Sequence, residues 1–230
     1  MIVGLGGIAA QRPDRVEDLP LFSPMPNTHA SAYQLVPSTE VVGVCDLREE
    51  MLDSFVGTWS DVWPNLRTYT DYEEMFDREE PDLVSVVTSD HLHADITIAA
   101  AGGSAKGVYC EKPIATTLED ADRMIEAAEA NGVPLSIDHT RRWNPQFLKA
   151  RELIRLGEIG PVRTIVADLF TQRAMLFRNG THIIDMMCFF AESSPVWVSA
   201  ELEDGFGSLT EYRGDGGKDP DIQLWTVVSG

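Results

Sequence analysis

Lysine is scarce and acidic residues are abundant in this chain of 230 residues. It has 37 aspartates and glutamates against 18 lysines and arginines, and its formal net charge is −19. A nucleic-acid-binding surface needs a basic face, so this balance argues against a nucleic-acid partner. Such a surface is typical both of saline habitats and of ordinary acidic cytosolic enzymes. Only four lysines occur, so a lysine within a motif is informative.

Cysteines and long apolar runs are also few. The three cysteines, Cys45, Cys110 and Cys188, lie far apart in apolar segments. An odd, unclustered set argues against a disulfide framework and a zinc site, and it favours a reducing cytoplasm. No apolar run approaches the ~18 residues of a membrane helix, and the glycine-broken N-terminal segment lacks the basic start of a signal peptide. We therefore expect a cytoplasmic protein with no membrane partner.

The first 138 residues alternate between short apolar strands and helices. The predicted strands lie near residues 1–3, 41–46, 66–69, 82–88, 107–110 and 133–138. Such alternation predicts an α/β fold with a doubly wound parallel sheet. After Asp138 the alternation stops, and strands are predicted at 161–170, 196–202 and 222–228. We therefore predict a Rossmann domain at 1–138 and an α+β domain at 139–230.

The first strand runs directly into a glycine-rich turn. Gly4, Gly6, Gly7, Ile8 and Ala9 fit the pattern G-x-G-x-x-A. Glycines let the backbone approach a pyrophosphate, whose charge then lies at a helix N-terminus. The motif alone is weak, but its position after a strand makes it a candidate dinucleotide site.

The second strand ends in Asp46, a residue type that can accept both ribose hydroxyls of an adenosine. A carboxylate here repels a 2'-phosphate, so we predict NAD as cofactor; Arg48 leaves NADP possible. Asp46 lies 42 positions after Gly4, whereas about 20 after the glycines is usual. The excess lies in residues 11–27, where four prolines predict a loop insertion. This insertion either folds over the cofactor or lies on the surface.

The strand at 107–110 is followed by Glu111, Lys112 and Pro113. Ligands bind at the carboxyl ends of parallel strands in an open sheet, so Lys112 is expected to face the nicotinamide region. A lysine can hydrogen-bond a reacting hydroxyl and stabilise a developing alkoxide. The alternative is a solvated lysine at the end of a strand.

Four segments together resemble the Gfo/Idh/MocA family of NAD(P)-dependent oxidoreductases, named after glucose–fructose oxidoreductase and inositol dehydrogenase. These are GLGGIA at 4–9, TSDHLHADITIAAAG at 88–102, YCEKPIATT at 109–117 and NGTHIIDMMCFF at 179–190. The resemblance implies that the second domain has an open, mainly antiparallel sheet whose outer face often forms oligomers. About ninety residues follow Asp138, fewer than in this family, so we expect that domain to be incomplete. A homo-oligomer is expected if it is complete.

The resemblance also implies site residues. Lys112 matches a catalytic-site lysine, often next to a cis proline peptide, and His182 matches the general base, a role that suits an imidazole near neutral pH. Asp185, three residues later, either orients the His182 ring or forms a structural pair. Inositol-dehydrogenase-like members carry an aspartate where this chain has Arg178. We expect Arg178 either to bind an anionic substrate group or to form a surface ion pair.

Further residues are assigned to the cofactor path by the same resemblance. Thr88, His91, His93 and Glu111 would line it, together with Lys112 itself. The two histidines could instead cap a helix. No cluster of Cys, His and Asp has metal-ligand spacing in the sequence, so no metal site is predicted.

Arg142 and Trp143 follow the last predicted Rossmann strand. The resemblance places them where the two domains meet, in contact either with substrate or with neighbouring side chains. The predicted function is hydride transfer between the nicotinamide and a secondary alcohol of a sugar, polyol or sugar derivative. The alternatives are a glycosidase-like enzyme that keeps NAD bound and a non-catalytic dinucleotide-binding regulator.

Overall fold

The computed structural model describes residues 1–12, 26–169, 176–202 and 224–225. The chain divides into two compact units, Met1–Asp138 and His139–Gly230. No helix among the described residues has the length and apolar character needed to cross a membrane. Most of the predicted 11–27 insertion, and most of the predicted last strand, lie outside the described residues.

The first unit is built on one parallel sheet of six strands. Their bounds are β1 Ile2–Val3, β2 Gly43–Cys45, β3 Arg67–Tyr69, β4 Leu83–Val86, β5 Gly107–Cys110 and β6 Leu135–Ile137. The strand order is β3-β2-β1-β4-β5-β6, and every neighbouring pair is parallel. The order reverses between β1 and β4, which is the switch point where doubly wound sheets bind ligands. The predicted α/β class of this part of the chain is confirmed.

Helices connect these strands. Their bounds are α1 Gly7–Ala10, α2 His29–Leu35, α3 Glu49–Trp59, α4 Tyr72–Glu79, α5 His93–Gly102 and α6 Leu118–Asn131. Side chains satisfy the first N–H groups of several of them. Thr117 caps α6 by accepting from the N–H of Asp120. Asp71 caps α4 by accepting from the N–H groups of Glu73 and Glu74.

Side chains alternate between the two faces of the sheet along each strand. Both faces are buried because helices pack against each of them. One apolar cluster contains Val3, Val86 and Met124. The other contains Ile2 and the fully buried Trp59 of α3, with further residues of α2 and α3. This two-sided core fixes the carboxyl ends of the strands, where the candidate site lies.

The second unit contains two longer helices. Its elements are a 3₁₀ turn Thr140–Trp143, α7 Pro145–Arg155, a π-helical turn Leu176–Gly180, α8 Thr181–Ala191, and strands β7 Glu201–Leu202 and β8 Leu224–Trp225. β7 and β8 pair antiparallel.

The prediction of a strand at 161–170 is wrong for residues 161–169, which the structure describes. Residues 161–169 form neither helix nor strand, and the strand predicted at 196–202 is reduced to Glu201–Leu202. Val166 is 80% exposed and Val196 is 92% exposed. These apolar side chains therefore bury little surface within the described residues, so local strand propensity is not reinforced by packing.

Candidate cofactor and catalytic site

The glycine turn after β1 has the close backbone packing that its sequence predicted. Gly4 has φ of +87°, and a Cβ at this position would lie 2.6 Å from the carbonyl oxygen of Val87. Its N–H donates to the carbonyl of Cys45 at 2.8 Å. Only glycine fits such a position without strain. The turn is thereby held against the ends of β2 and β4.

The other two glycines leave space beside the turn. A Cβ at Gly6 or Gly7 would meet nothing within 4 Å. Ile8 is exposed, and Thr88 lies beside Gly4 at the end of β4. An open turn next to the switch point of the sheet fits a pyrophosphate group.

Asp46 lies next to this turn and is bonded to it. Its carboxylate accepts from the backbone N–H of Leu5 at 2.9 Å and from Arg48 Nε at 3.2 Å. Burial acts to raise the pKa of Asp46, but the hydrogen bonds from Arg48 and Leu5 hold it below its usual range. The group therefore stays ionised near neutral pH, in the position that ribose recognition needs.

The insertion divides what is usually one helix into α1 and α2. Thr28 donates its hydroxyl proton to the carbonyl of Gln11 at 2.8 Å, which joins the two ends of the insertion. Arg12 lies over the Trp59 ring, 5.1 Å from its centroid, and pairs with Asp61 at 2.7 Å. Gln11, the first residue of the insertion, and Thr28, which follows its last residue, are therefore in direct contact.

Lys112 lies two residues after the end of β5, at the same sheet edge as the glycine turn. The N–H of Glu111 donates to the carbonyl of Val86 at 2.9 Å, so the β4–β5 pairing continues beyond the strand itself. The Lys112–Pro113 peptide is cis. The Lys112 side chain is half-buried. The predicted location at the carboxyl edge of the sheet is found in the structure.

His93 is not available to a ligand, contrary to the predicted cofactor contact. Its side chain is fully buried, and its ring nitrogens lie 2.8 Å from the carbonyl oxygen of Pro113 and 3.3 Å from that of Thr88. Its side chain does not cap α5, whose first residue it is, but its backbone N–H closes the 3₁₀ turn Asp90–Leu92 by donating to the carbonyl of Asp90. The imidazole instead connects the segments that follow β4 and β5. His91 is exposed in the turn Asp90–Leu92.

Glu111 also faces the interior rather than the predicted cofactor path. It is 6% exposed, and its carboxylate lies 3.3 Å from His29 Nε2. Asp138 Oδ2 lies 3.7 Å from the same nitrogen. One donor atom from each of these three buried residues falls within 4.8 Å of the others, a spacing that a metal ion could use. The sequence did not predict this cluster because its members lie at positions 29, 111 and 138.

In the second unit, His182 lies in the first turn of α8. Its ring is perpendicular to that of His139, with centroids 6.1 Å apart and an interplanar angle of 86°. His139 Nε2 lies 3.1 Å from the hydroxyl of Thr181. His182 is half-buried, and Arg178 lies in the π-helical turn just before α8. His139 was not among the predicted site residues, and only its place two residues before the Arg-Arg segment could have indicated it.

Asp185 forms the structural pair that the sequence left as an alternative. Its two carboxylate oxygens lie 2.8 and 2.9 Å from Arg142 Nε. The Arg142 guanidinium also lies over the Phe189 ring, 5.5 Å from its centroid. Trp143 is 58% exposed. Asp185 and Arg142 therefore link the 3₁₀ turn to α8, and a catalytic role of Asp185 stays a prediction.

A parallel sheet of this order, with a glycine turn after its first strand and an acid after its second, defines a dinucleotide-binding α/β protein. Residues 1–139 match the model of the oxidoreductase family with an NAD-binding Rossmann fold, GFO_IDH_MocA. The chain belongs to this family, as the sequence motifs predicted.

Named relatives are dehydrogenases. The chain is 33% identical over 209 residues to inositol 2-dehydrogenase from Salmonella typhimurium, covering 85% of this chain and 58% of that protein. It is 30% identical over 175 residues to D-apiose dehydrogenase from Paraburkholderia graminis, covering 70% and 45%. The crystal structure of myo-inositol 2-dehydrogenase from Lactobacillus plantarum matches with a TM-score of 0.63 at 19% identity, covering 88% and 58%. The chain thus spans about half the length of these relatives.

Proposed function

We propose that this chain is the cofactor-binding and catalytic part of an NAD-dependent dehydrogenase that acts on a secondary alcohol of a sugar or polyol. The observation that carries the proposal is the position of Lys112. It follows β5 at the sheet edge that also presents the glycine turn and Asp46. The names of the relatives, which include inositol and apiose dehydrogenases, support an alcohol of the polyol or sugar class.

The two units would have different functions. Residues 1–138 would bind the cofactor, and residues 139–230 would form part of an α+β substrate domain with an open, mainly antiparallel sheet. The antiparallel pairing of β7 with β8 supports this assignment. Oligomers would form through the sheet of the second domain in the complete protein.

The residues would act on the hydroxyl that is oxidised. NAD, when bound, supplies the hydride acceptor. The Lys112 ammonium would donate a hydrogen bond to the hydroxyl oxygen and stabilise the negative charge that develops there. The His182 imidazole would accept the hydroxyl proton. Each role is separately testable by substitution.

Asp46 would favour NAD over NADP. Its ionised carboxylate would repel a 2'-phosphate, and Arg48, which could otherwise attract one, is paired with it at 3.2 Å. The Asp46→Ala variant should lose much of its preference for NAD, measured as the ratio of the dissociation constants of NADH and NADPH. An unchanged ratio would contradict this assignment.

Arg178 would hold an anionic group of the substrate, since a planar guanidinium suits a carboxylate. Comparing Arg178→Ala with the native chain on a sugar acid and on the corresponding neutral sugar tests this. The Michaelis constant should rise for the acid only. A rise for both, or for neither, would leave Arg178 without a role in substrate charge recognition.

The experiment that tests the whole proposal is NADH formation from NAD with a panel of polyols and sugars. Lys112→Ala should reduce kcat/KM by about 100-fold or more, because the alkoxide loses its charge partner. Lys106→Ala is the matched control, since Lys106 is an exposed surface lysine of the same unit. Binding of NADH without turnover of any alcohol would contradict the proposal.

A further inference from the structure

A group of buried polar side chains lies directly beneath the Lys112 segment. His29, Ser85, Glu111 and Asp138 are each at most 6% exposed. They come from four different places, namely α2, β4 and the segments that follow β5 and β6. The His29 ring also lies 5.3 Å from the ring of Tyr109 in β5, at an interplanar angle of 50°. Buried polar groups are costly unless they are hydrogen-bonded, so their partners are informative.

Hydrogen bonds connect this group in a line that ends at Lys112. The Tyr33 hydroxyl lies 2.6 Å from Ser85 Oγ, and Ser85 Oγ lies 3.2 Å from His29 Nδ1. His29 Nε2 lies 3.3 Å from Glu111 Oε1. Glu111 Oε2 accepts from the backbone N–H of Lys112 at 3.1 Å. One direction satisfies every link, with Tyr33 donating to Ser85, Ser85 to His29 and His29 to Glu111.

The pKa values of the two buried carboxyl groups are shifted in opposite directions. Burial acts to raise the pKa of Glu111, but the hydrogen bond from His29, and then the charge and backbone N–H of Lys112, hold it below its usual range. Burial raises the pKa of Asp138. Glu111 therefore ionises more readily than Asp138, which retains its proton to higher pH.

We propose that His29 is a positioning residue for Lys112, acting through the Glu111 carboxylate that it holds beneath the Lys112 backbone. Without the N–H of His29, the buried Glu111 would lose a principal partner and would take up a proton. Lys112 would then lose a neighbouring negative charge, and its N–H would face a weaker, neutral acceptor. The catalytic meaning rests on the proposed function of Lys112, whereas the contact between these residues does not.

A divalent cation is the competing occupant of this cluster. Imidazole and carboxylate oxygen are common ligands of such ions, and the three donor atoms are close enough. In the structure, however, His29 Nε2 and both oxygens of Glu111 face hydrogen-bond partners. These contacts account for the burial of His29 and Glu111 without an ion, so we assign the cluster to positioning.

The test measures how fast an amine-reactive acetylating reagent modifies each lysine at pH 8, read by peptide mass spectrometry. The chain has four lysines, and exposed Lys106 serves as the internal reference. Glu111→Gln removes the negative charge but keeps the shape, so more of Lys112 is the free amine. The Lys112 to Lys106 rate ratio should rise about three- to tenfold.

Two amide variants of His29 form a matched pair. In His29→Gln the amide nitrogen can reach the position of Nε2 and donate to Glu111, so the rate ratio should stay within twofold of the native value. In His29→Asn the amide reaches only the position of Nδ1, so the ratio should rise as in Glu111→Gln. A merely structural histidine would give no difference between these two amides.

Three results would overturn the proposal. One is an unchanged ratio in folded Glu111→Gln, and another is the same ratio in both His29 amide variants. The third is a change in the native ratio on adding Zn²⁺ or a chelator, which would assign the cluster to a cation. If His29→Asn fails to fold, the other two variants test the proposal. It is then overturned unless the rate ratio rises in Glu111→Gln and stays within twofold of the native value in His29→Gln. Labelling needs no substrate, so a failed dehydrogenase assay would refute the proposed function and leave this result standing.

Discussion

The two compact units differ most in how much apolar side-chain surface they bury. In the first, apolar side chains pack against both faces of the six-stranded sheet, and Phe55 and Trp59 are at most 1% exposed. In the second, the buried side chains among the described residues are those of Asn144, Met186 and Phe189. Apolar burial is the main stabilising contribution to a fold. The first unit therefore has the core that an independent domain needs, whereas the described residues of the second bury few side chains.

The largest expected effect tests this difference directly with two tryptophans. Trp59→Ala should destabilise the first unit by about 3–5 kcal/mol, because it leaves a cavity in a packed core. Trp197→Ala, at a residue 53% exposed in the second unit, should change the unfolding free energy by less than about 0.5 kcal/mol. Urea denaturation measures both. Similar losses would show that the second unit is packed as tightly as the first.

The next effect concerns the glycine turn. Gly4→Ala should destabilise the first unit by about 3 kcal/mol and abolish NADH binding, because a Cβ would lie 2.6 Å from the Val87 carbonyl at a positive φ. Gly57→Ala is the matched control, since Gly57 lies within α3 and a Cβ there meets nothing within 4 Å. It should stabilise α3 by up to about 1 kcal/mol. Thermal unfolding with and without NADH measures both. Equal effects of the two changes would contradict the close packing at Gly4.

A smaller effect is expected at the ion pair in the second unit. Asp185→Asn should destabilise this unit by about 1 kcal/mol, because the charge-assisted pair with Arg142 is lost and both side chains are partly exposed. Arg142→Lys should cost nearly as much, since an ammonium cannot bond both oxygens in the same way. A double-mutant cycle measures the coupling free energy. Zero coupling would show that the pair does not hold the 3₁₀ turn to α8.

The smallest expected effect is the pH dependence that Asp138 gives to the stability of the first unit. Burial raises the pKa of Asp138, so this group adds stability below the ordinary carboxyl pKa, near ~3.9. That contribution is lost as pH rises through the raised pKa. The difference in melting temperature between Asp138→Asn and the native chain should therefore grow in favour of the variant from pH 4 to pH 8. A difference that falls with pH would reverse the assignment.

The sequence predicted the strands of the first unit well because each strand is encoded by a few consecutive residues. Every predicted strand in residues 1–138 is present, and each is shorter than predicted or equal to it. Apolar runs bounded by helix starts and glycines suffice for such predictions. The strand prediction for residues 161–169 was wrong because a strand also needs a neighbouring strand, which local sequence does not supply. These residues are apolar and β-branched at several positions, but within the described residues no neighbouring strand pairs with them.

The candidate site was predicted in part. Gly4 and Asp46 directly follow strands of the sheet and Lys112 lies two residues after one, so all three lie at the sheet edge where the sequence placed them. Asp185 forms the structural pair that was one of its two predicted alternatives, while His93 and Glu111 face buried partners rather than the predicted cofactor path. Their partners, Arg142, Pro113 and His29, lie between 20 and 82 positions away in the sequence. Spacing within one segment could not reveal them.

The sequence by itself determined the family, the order of strands and helices in the first unit, and the strand ends that carry the glycine turn and Lys112. Hydrophobic periodicity and short motifs encode these features, since both act over a few residues. Only the tertiary structure decided what lies beneath Lys112. His29, Glu111 and Asp138 meet because the first residue of α2 lies beside the segments that follow β5 and β6. Burial there forces polar groups to find partners, and the fold rather than the sequence spacing decides which ones are in reach.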